Sequence, residues 1–304
     1  MPPVLPLTRE TRLADAPSPE SALPCRPLDI VDVREPRAFE RGHVAGAVCL
    51  PLAELELRVA ELPPRSATFW IVGGDTAEAR AAVELLSARG FAGARPAPAE
   101  MAAGREEVGP ARRVLWRAAP WLLECQRFLP ARGRALDVAT GSGRNATALA
   151  LAGLDVCGFD LLPDALVRAT RLARAAFEAR HAAVPGVRLG DASGGTGQVA
   201  FLAADAGGGL PFRADVFDAI LVFRYLERAL PARLVPLLAP GGVLVWETFT
   251  VEQVRFGRPT RADFLLAPGE LAGLVAAAGL VPLAGREAVH EAGPALASVA
   301  ARRP

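Results

Sequence analysis

Residues 135–150 read ALDVATGSGRNATALA, an apolar run that ends in a glycine-rich turn and continues into a helical pattern. The run has the length of a buried strand, and Gly141 and Gly143 allow left-handed backbone and a close approach of the main chain to a ligand. A helix that starts directly after such a turn points its free N–H groups towards an anionic group. The stretch therefore predicts the nucleotide-binding strand, turn and helix of a doubly wound α/β fold.

Two ligand classes fit this turn. The letters GSGRNA at residues 141–146 satisfy the dinucleotide pattern GxGxxA, so an NAD(P)-dependent oxidoreductase is one alternative. Asp137 favours the other class, because that position lies inside a buried strand of a dinucleotide fold and is usually apolar there. An acid directly before the turn suits a ligand that carries an ammonium group, as S-adenosylmethionine does. We therefore expect S-adenosylmethionine rather than NAD(P) at this turn.

Two further acids follow predicted strands. Asp160 ends the run LDVCGFD, at the spacing where a carboxylate accepts hydrogen bonds from both hydroxyls of an adenosine ribose. Asp205 follows VAFLAA and could accept a hydrogen bond from the adenine amino group. Each acid could instead cap a helix or close a turn. Acids at three successive strand ends, with Asp137 the first, favour a shared nucleotide ligand.

Length and composition bound the number of domains and exclude several classes of function. A chain of 304 residues, 51% of them hydrophobic, is long enough for two domains that each have a core. A net charge of +1 provides no basic surface for nucleic acid or for a membrane, so we expect a small-molecule substrate. The four cysteines lack CxxC spacing and only three histidines are present, which argues against a metal site and a disulfide framework. No signal peptide or apolar span is recognisable, so we expect a cytoplasmic protein.

The chain divides into three stretches. Residues 1–24 carry Pro, Ser and charge without periodicity and are expected to form a disordered tail. Residues 25–107 alternate short strand and helix patterns, which indicates a small α/β domain with parallel strands. Residues 108–304 contain apolar runs suited to strands buried on both faces, which indicates a doubly wound sheet. Within this larger domain, the glycine-rich residues 186–198 are expected to form an insertion loop.

The strings DVATGSGRN, FDLLPDAL, LPFRADVFDAILVFRYL and LAPGGVLVWETF resemble the ordered motifs of class I methyltransferases, over about residues 112–304. Within that class, GSGRNATALA, FRYLERALP and the run at residues 247–271 are similar to the tellurite-resistance-type methyltransferases. The resemblance implies a Rossmann-like sheet of seven strands, S-adenosylmethionine as methyl donor, and a small acceptor such as a thiol or a metalloid oxyanion. The donor-binding roles that it implies fall on Asp137, Gly141, Gly143, Asp160 and Asp205.

Polar residues after the fourth and fifth strands are the candidates for the acceptor side. They are Arg224, Tyr225, Glu247, Arg255 and Arg258. No catalytic base is assigned, because a thiolate or an oxyanion attacks the sulfonium methyl group without losing a proton, and each arginine could instead be a surface charge. The lack of an Asn/Asp-Pro-Pro-Tyr motif argues against methylation of a nucleic-acid base. Residues 247–271 combine glycine, proline and charges with an apolar edge and are expected to form a mobile flap over the acceptor.

The stretch LDIVDVREPRAFERGHVAGAVCLPL resembles the N-terminal signature of rhodanese domains. An active rhodanese carries a cysteine directly after its next strand, because its chemistry needs a thiolate. Here that position falls at about Gly73, so the resemblance implies a non-catalytic rhodanese-like domain, with a sulfurtransferase as the alternative. Asp32 and Arg34 are expected to pair, and His43 is expected to be a structural turn residue.

The string RRVLWRAAPWLLEC, between the two domains, resembles the segment that joins rhodanese-like and methyltransferase domains in bacterial fusion proteins. The resemblance implies one chain with a catalytic methyltransferase domain and a rhodanese-like domain that binds or docks. Because every predicted donor-binding residue follows residue 107, removing residues 1–107 is expected to leave donor binding intact.

Overall fold

A computed structural model describes residues 29–101, 106–178, 196–289 and 294–304. The expected tail at residues 1–24 lies outside the described residues, and so does most of the expected insertion loop at residues 186–198. The described residues form two α/β domains, each built on its own parallel or mostly parallel sheet.

The first domain contains a four-stranded parallel sheet with the strand order β3-β1-β4-β5, and a separate antiparallel pair, β2 with β6. Its apolar strands lie against helices whose inward faces complete one core. The elements in chain order are β1 (Ile30–Asp32), α1 (Pro36–Arg41), β2 (His43–Val44), β3 (Val48–Cys49), 3-10 helices Leu52–Glu54 and Val59–Glu61, β4 (Phe69–Val72), α2 (Thr76–Ala88), β5 (Ala94–Pro96), 3-10 helix Ala99–Met101 and β6 (Glu106–Glu107).

The second domain contains a seven-stranded sheet with the order β12-β13-β11-β10-β7-β8-β9, in which β13 is antiparallel to both of its neighbours. Its elements are α3 (Pro120–Cys125), 3-10 helix Gln126–Phe128, β7 (Gly133–Val138), α4 (Arg144–Leu151), β8 (Leu154–Asp160), α5 (Pro163–Glu178), β9 (Val199–Ala203), β10 (Phe217–Phe223), α6 (Leu230–Leu234), 3-10 helix Val235–Leu237, β11 (Leu238–Phe249), 3-10 helices Val251–Arg255 and Ala262–Phe264, α7 (Glu270–Ala277), β12 (Val281–Val289) and β13 (Ala295–Arg302). The prediction of a doubly wound, seven-stranded sheet is confirmed.

The strand order fixes where a ligand can bind. The chain runs from β7 outwards through β8 to β9, and then returns to the other side of β7 with β10 and β11. Ligands of doubly wound folds bind outside the carboxyl ends of the strands at such a reversal. The turn after β7 therefore lies at the expected binding edge, and the ends of β10 and β11 lie beside it.

Both faces of this sheet are covered. Alternate residues along β11 belong to different cores: Val243 and Val245 pack on the face that α3 and α4 cover, whereas Leu244 and Trp246 pack on the opposite face. A strand buried on both faces needs a nearly continuous apolar run, which is the pattern that identifies these strands in the sequence.

The two domains pack against each other through the segment that joins them and through α4. Leu115 is buried in the core of the first domain, and its neighbour Trp116 is buried in a core of the second. Arg144, the first residue of α4, donates a hydrogen bond of 2.9 Å from Nε to the carbonyl oxygen of Ala60 in the first domain. The first domain therefore contacts the helix that follows the glycine-rich turn.

Candidate functional site

The two glycines of the turn after β7 have different surroundings. Gly141 has a φ of +56°, and a side chain placed there would meet no atom within 4 Å. Gly143 has a φ of +71°, and a Cβ there would lie 2.8 Å from Cβ of Ala169 and from Cζ of Phe201. Gly141 thus leaves open space over the main chain, whereas Gly143 allows α4 to pack against α5 and β9. Ala139 also has a positive φ of 52°, which is uncommon for a residue with a side chain.

Asp137 lies beneath this turn and is 2% exposed. Its Oδ2 atom accepts a hydrogen bond of 2.6 Å from Oγ1 of Thr140, and its carboxylate also accepts one from the backbone N–H of Ala146. Burial raises the pKa of Asp137 to about 7, although both hydrogen bonds oppose that shift. Asp137 therefore holds the two sides of the turn together. Thr140 is a site residue that the sequence reasoning missed, and a hydroxyl residue three positions after the acid is the signal that could have found it.

Asp160, at the end of β8, reaches across to the same turn. Its Oδ2 accepts a hydrogen bond of 2.9 Å from the N–H of Gly141, and its Oδ1 accepts one of 2.9 Å from the N–H of Leu162. A carboxylate oxygen can accept two hydrogen bonds, so each oxygen keeps capacity for a ligand hydroxyl. These contacts fix the carboxylate beside the open side of Gly141.

Asp205 follows β9 and is exposed. Its Oδ1 accepts a hydrogen bond of 2.8 Å from the N–H of Gly207, which closes a tight turn. Asp205 therefore closes a turn, which is one of the two roles that the sequence allows. A contact from Asp205 to adenine stays a prediction.

Arg224 and Glu247 meet at the carboxyl ends of β10 and β11. Arg224 has a φ of +59°, and its backbone N–H donates a hydrogen bond of 2.8 Å to the carbonyl of Glu247. Its Nη2 atom lies 3.4 Å from Oε1 of Glu247, and its guanidinium carbon lies 4.9 Å from the centre of the Phe249 ring. The Arg224 side chain remains 38% exposed. Backbone in this region costs energy in a non-glycine residue and is enriched at functional sites.

The Glu247 carboxylate is buried, with 3% of the side chain exposed. Oε2 accepts a hydrogen bond of 3.0 Å from the hydroxyl of Ser298 on β13. Oε1 accepts no hydrogen bond from the residues that the structure describes. A buried carboxylate is costly unless it is paired, so Arg224 and Ser298 together stabilise it. Ser298 is the second site residue that the sequence reasoning missed.

Tyr225 does not join this pair. Its hydroxyl donates a hydrogen bond of 3.1 Å to Glu227, and its ring packs with the core that contains Trp246. Because successive side chains of β11 point to opposite faces of the sheet, Glu247 lies on the other face from Trp246. Burial, together with Glu227, raises the pKa of Tyr225 to about 12. The Tyr225 ring therefore contributes to this core, and its role on the acceptor side stays a prediction.

Arg258 and Arg255 lie in the loop after β11, and both are exposed. Arg255 forms a surface ion pair of 2.9 Å with Glu252. The carbonyl of Arg258 accepts a hydrogen bond of 3.2 Å from the buried side chain of Gln253, whose Oε1 accepts one of 3.0 Å from the N–H of Ala295. The loop is thus anchored at its first turn, and a flap motion of residues 247–271 stays a prediction for the part beyond that anchor.

Comparisons with known families agree with this architecture. Residues 20–97 match the family model described as a rhodanese-like domain, and residues 136–245 match the model described as a methyltransferase domain. The chain contains both domains. The methyltransferase match also supports S-adenosylmethionine as the cofactor. No curated protein matches the chain.

Several solved structures resemble the methyltransferase part. One is a SAM-dependent methyltransferase from Methanosarcina mazei, with 19% identity and a TM-score of 0.44, over 62% of this chain and 98% of that chain. Another, from Mesorhizobium loti, has 18% identity and a TM-score of 0.44, over 59% of this chain and 96% of that chain. A third, from Aquifex aeolicus, has 16% identity and a TM-score of 0.44, over 60% of this chain and 89% of that chain.

The loop after β4 of the rhodanese-like domain has no room for a side chain at the predicted thiol position. A Cβ at Gly73 would lie 2.8 Å from the backbone nitrogen of Ala79 and 3.0 Å from the carbonyl oxygen of Asp75. In the same loop, the N–H of Gly74 donates a hydrogen bond of 2.6 Å to the carboxylate of Glu78. A backbone donor of this loop is thus already bonded to an acid of the domain itself.

The other expected residues of the rhodanese-like domain have structural contacts. Arg34 forms an ion pair of 2.6 Å with Asp32 and donates a hydrogen bond of 2.8 Å to the carbonyl of Gly42. His43 stacks on Phe39 with ring centres 3.7 Å apart, and its Nδ1 lies 3.0 Å from the carbonyl oxygen of Phe39.

Cys49 lies on β3, opposite Asp32 of the neighbouring strand β1. Its Sγ atom is 3.7 Å from the carbonyl oxygen of Arg34. Burial raises the pKa of Cys49 to about 12, which leaves the thiol protonated and a poor nucleophile at neutral pH. Within the described ranges, no group of three potential metal ligands comes together. None of the helices there is long and apolar enough to cross a membrane.

Proposed function

We propose that the chain transfers the methyl group of S-adenosylmethionine to a small-molecule acceptor, with the donor bound at the turn between β7 and α4. The observation that carries this proposal is the Asp160 carboxylate fixed beside Gly141, whose Cα faces open space at the reversal of strand order. A nucleoside can lie against such a main-chain surface while its ribose hydroxyls donate to the carboxylate.

The remaining donor residues divide into contact and support roles. Asp160 would accept the ribose hydroxyls, and Asp205 the adenine amino group. Gly141 would let the donor approach the backbone, whereas Gly143 permits the packing of α4. Asp137 would support the turn through Thr140 and supply negative charge near the donor's ammonium group when it is ionised.

For the acceptor side, we propose that Arg224 contacts the acceptor and that Glu247 positions the Arg224 guanidinium. Methyl transfer is an in-line displacement at an activated carbon, so the protein contributes mainly proximity and alignment. A buried carboxylate and an aromatic face hold the guanidinium in direction, and the Arg224 side chain is still 38% exposed. Such a group suits an anionic acceptor, which agrees with the thiolate or metalloid oxyanion implied by the family resemblance.

We further propose that the rhodanese-like domain is non-catalytic. The crowding at Gly73 and the hydrogen bond between Gly74 and Glu78 support this proposal, because a persulfide needs both a thiol and free backbone donors in that loop.

Calorimetric titration of the full-length protein tests the proposed activity. We expect S-adenosylhomocysteine, the demethylated donor, to bind saturably with a dissociation constant in the micromolar range, and NAD to show no saturable heat. The reverse preference would support the oxidoreductase alternative and overturn the proposal.

A further inference from the structure

A cavity of 140 Å³ lies between the rhodanese-like and methyltransferase domains, beside the first turn of α4. Three arginines line it: Arg65 from the first domain, Arg144 from α4 and Arg168 from α5. The other lining residues are alanine, valine, proline and phenylalanine, so the wall contains no carboxylate. The cavity is therefore a cationic pocket built by both domains.

Two of the three guanidinium groups have neutral hydrogen-bond partners. Nε of Arg65 donates a hydrogen bond of 3.1 Å to the carbonyl of Arg89, and the group lies 5.1 Å from the centre of the Phe91 ring. Nε of Arg144 donates to the carbonyl of Ala60. Among the described residues, none of the three arginines forms an ion pair.

The charges in this pocket oppose one another. Burial lowers the pKa of Arg144, and the nearby charge of Arg65 lowers it further. Arginine keeps its proton in proteins, so the positive charge cannot be relieved by titration. A partly buried positive charge without a carboxylate is unfavourable, and a bound anion would remove that cost.

We propose that this interdomain cavity binds a small tetrahedral oxyanion of the phosphate or sulfate class. Guanidinium groups present paired N–H donors that match the oxygens of such an ion. The cavity of about 140 Å³ opens to solvent and is large enough to admit an ion of this size.

The position of Arg144 links this site to the donor turn. Arg144 directly follows Gly143, so an anion that fixes its side chain also restrains the start of α4. This coupling rests on the proposed donor site. Oxyanion binding in the cavity then tightens the binding of S-adenosylhomocysteine at the turn after β7. By linkage, S-adenosylhomocysteine would then tighten oxyanion binding by the same factor.

Thermal unfolding and calorimetry of the full-length protein test the site. The probes are inorganic phosphate, sulfate and glycerol 2-phosphate, each compared with sodium chloride at the same ionic strength. We expect a saturable rise in Tm with the oxyanions and none with chloride. Arg65→Gln and Arg168→Gln should each weaken phosphate binding by about tenfold, since each removes charged hydrogen bonds. Arg171→Gln is the control, because Arg171 is an exposed residue of the same helix outside the cavity.

The outcomes separate this inference from the proposed function. If phosphate raises Tm only as chloride does, or equally in Arg65→Gln, Arg168→Gln and Arg171→Gln, the oxyanion site is wrong, whatever S-adenosylhomocysteine does. If phosphate binds as expected but S-adenosylhomocysteine binds neither with nor without it, the site stands and the proposed donor site fails. Tighter binding of glycerol 2-phosphate than of phosphate would support the site and identify a phosphomonoester as its ligand.

Discussion

The N–H of Gly141 donates a hydrogen bond of 2.9 Å to Oδ2 of Asp160, which joins the turn after β7 to the end of β8. The same carboxylate accepts a bond from its own loop through Leu162, so its direction is set on two sides before any ligand arrives. A preorganised acceptor loses little conformational entropy on binding, so we expect substitution of Asp160 to weaken binding at the proposed donor site.

Asp160→Ala should weaken S-adenosylhomocysteine binding by ~1.5–3 kcal/mol, about 10- to 150-fold, because hydrogen bonds to a charged acceptor are lost. Calorimetric titration measures this change. Asp164→Ala is the matched control, since Asp164 is an exposed acid in the first turn of α5. Equal affinities for the wild-type protein and Asp160→Ala would remove Asp160 from the donor site.

Asp137 should make stability depend on pH. Its pKa in the folded protein is raised from 3.8 to about 7, so the folded state binds more protons than the unfolded state between these values. The stabilisation from the protonated form is fully present below the unfolded pKa and is lost as pH rises through 7. The free energy of unfolding should therefore fall from pH 5 to pH 8 in the wild-type protein.

Asp137→Asn should flatten this decline, because the amide does not titrate. Urea unfolding of both proteins at pH 5 and pH 8 measures the difference. A difference in the free energy of unfolding that is the same at both pH values reports altered hydrogen bonds to Thr140 and Ala146. Only a change of that difference with pH reports the titration of Asp137. Parallel pH profiles for the two proteins would contradict the raised pKa.

The sequence predicts much of the fold because the strands are buried on both faces and therefore stand out as apolar runs. It also predicts the acids at the strand ends and the pairing of Asp32 with Arg34, since these contacts are local. The donor-binding role of Gly143 stays a prediction, but the glycine is also required for packing against Ala169 and Phe201. Only the position of α5 and β9 reveals that purpose.

What the sequence misses depends on register and on distant contacts. Ser298 meets Glu247 because β13 pairs antiparallel with β11, a relationship that no local pattern encodes. Tyr225 and Arg224 are neighbours in sequence, yet the Tyr225 ring packs with the core that contains Trp246, whereas Arg224 approaches Glu247. The hydrogen bond from Arg144 to Ala60 joins the two domains. Neither the glycine-rich motif nor the rhodanese-like signature predicts it.

The contacts between the domains change the expectation for a truncated chain. Without residues 1–107, Leu115 would lose the core that buries it and Arg144 would lose its bond to Ala60. Exposing one buried leucine costs about 1.5–3 kcal/mol. Residues 108–304 alone should therefore unfold at a lower temperature and bind S-adenosylhomocysteine more weakly than the full chain. Scanning calorimetry and titration measure both, and unchanged values would restore the simpler view of two independent domains.

The rhodanese-like domain should lack thiosulfate:cyanide sulfurtransferase activity, and Gly73→Cys should not restore it. A side chain at Gly73 would collide with backbone atoms at 2.8 and 3.0 Å, so Gly73→Ala should cost about 1–3 kcal/mol of stability. Gly74→Ala is the control, because its nearest contact is the flexible end of Glu78 at 3.2 Å. Thiocyanate production by the wild-type protein, or equal stabilities for the two alanine variants, would contradict this assignment.

Arg224→Ala should separate acceptor use from donor binding. The arginine lies at the carboxyl end of β10, beside the proposed donor turn after β7, and its side chain is 38% exposed. We expect the variant to bind S-adenosylhomocysteine as the wild-type protein does, within about twofold, but to lose tenfold or more in kcat/KM, since a hydrogen-bonded charge contributes about 1.5–3 kcal/mol. Methyl transfer from labelled S-adenosylmethionine to selenite and to 2-mercaptoethanol provides the measurement.

Glu247→Gln tests whether the Glu247 carboxylate positions the Arg224 guanidinium. The amide keeps the shape of the side chain and an acceptor for Ser298, but it no longer holds the guanidinium by charge. It should therefore raise the KM for the acceptor while leaving donor affinity unchanged, and Arg224→Lys should recover only part of the activity because lysine lacks the planar fork. Arg174→Ala, which breaks the exposed ion pair with Glu178 on α5, should leave turnover unchanged. If Arg224→Ala and Glu247→Gln were as active as Arg174→Ala on both acceptors, this edge of the sheet would not contact the acceptor.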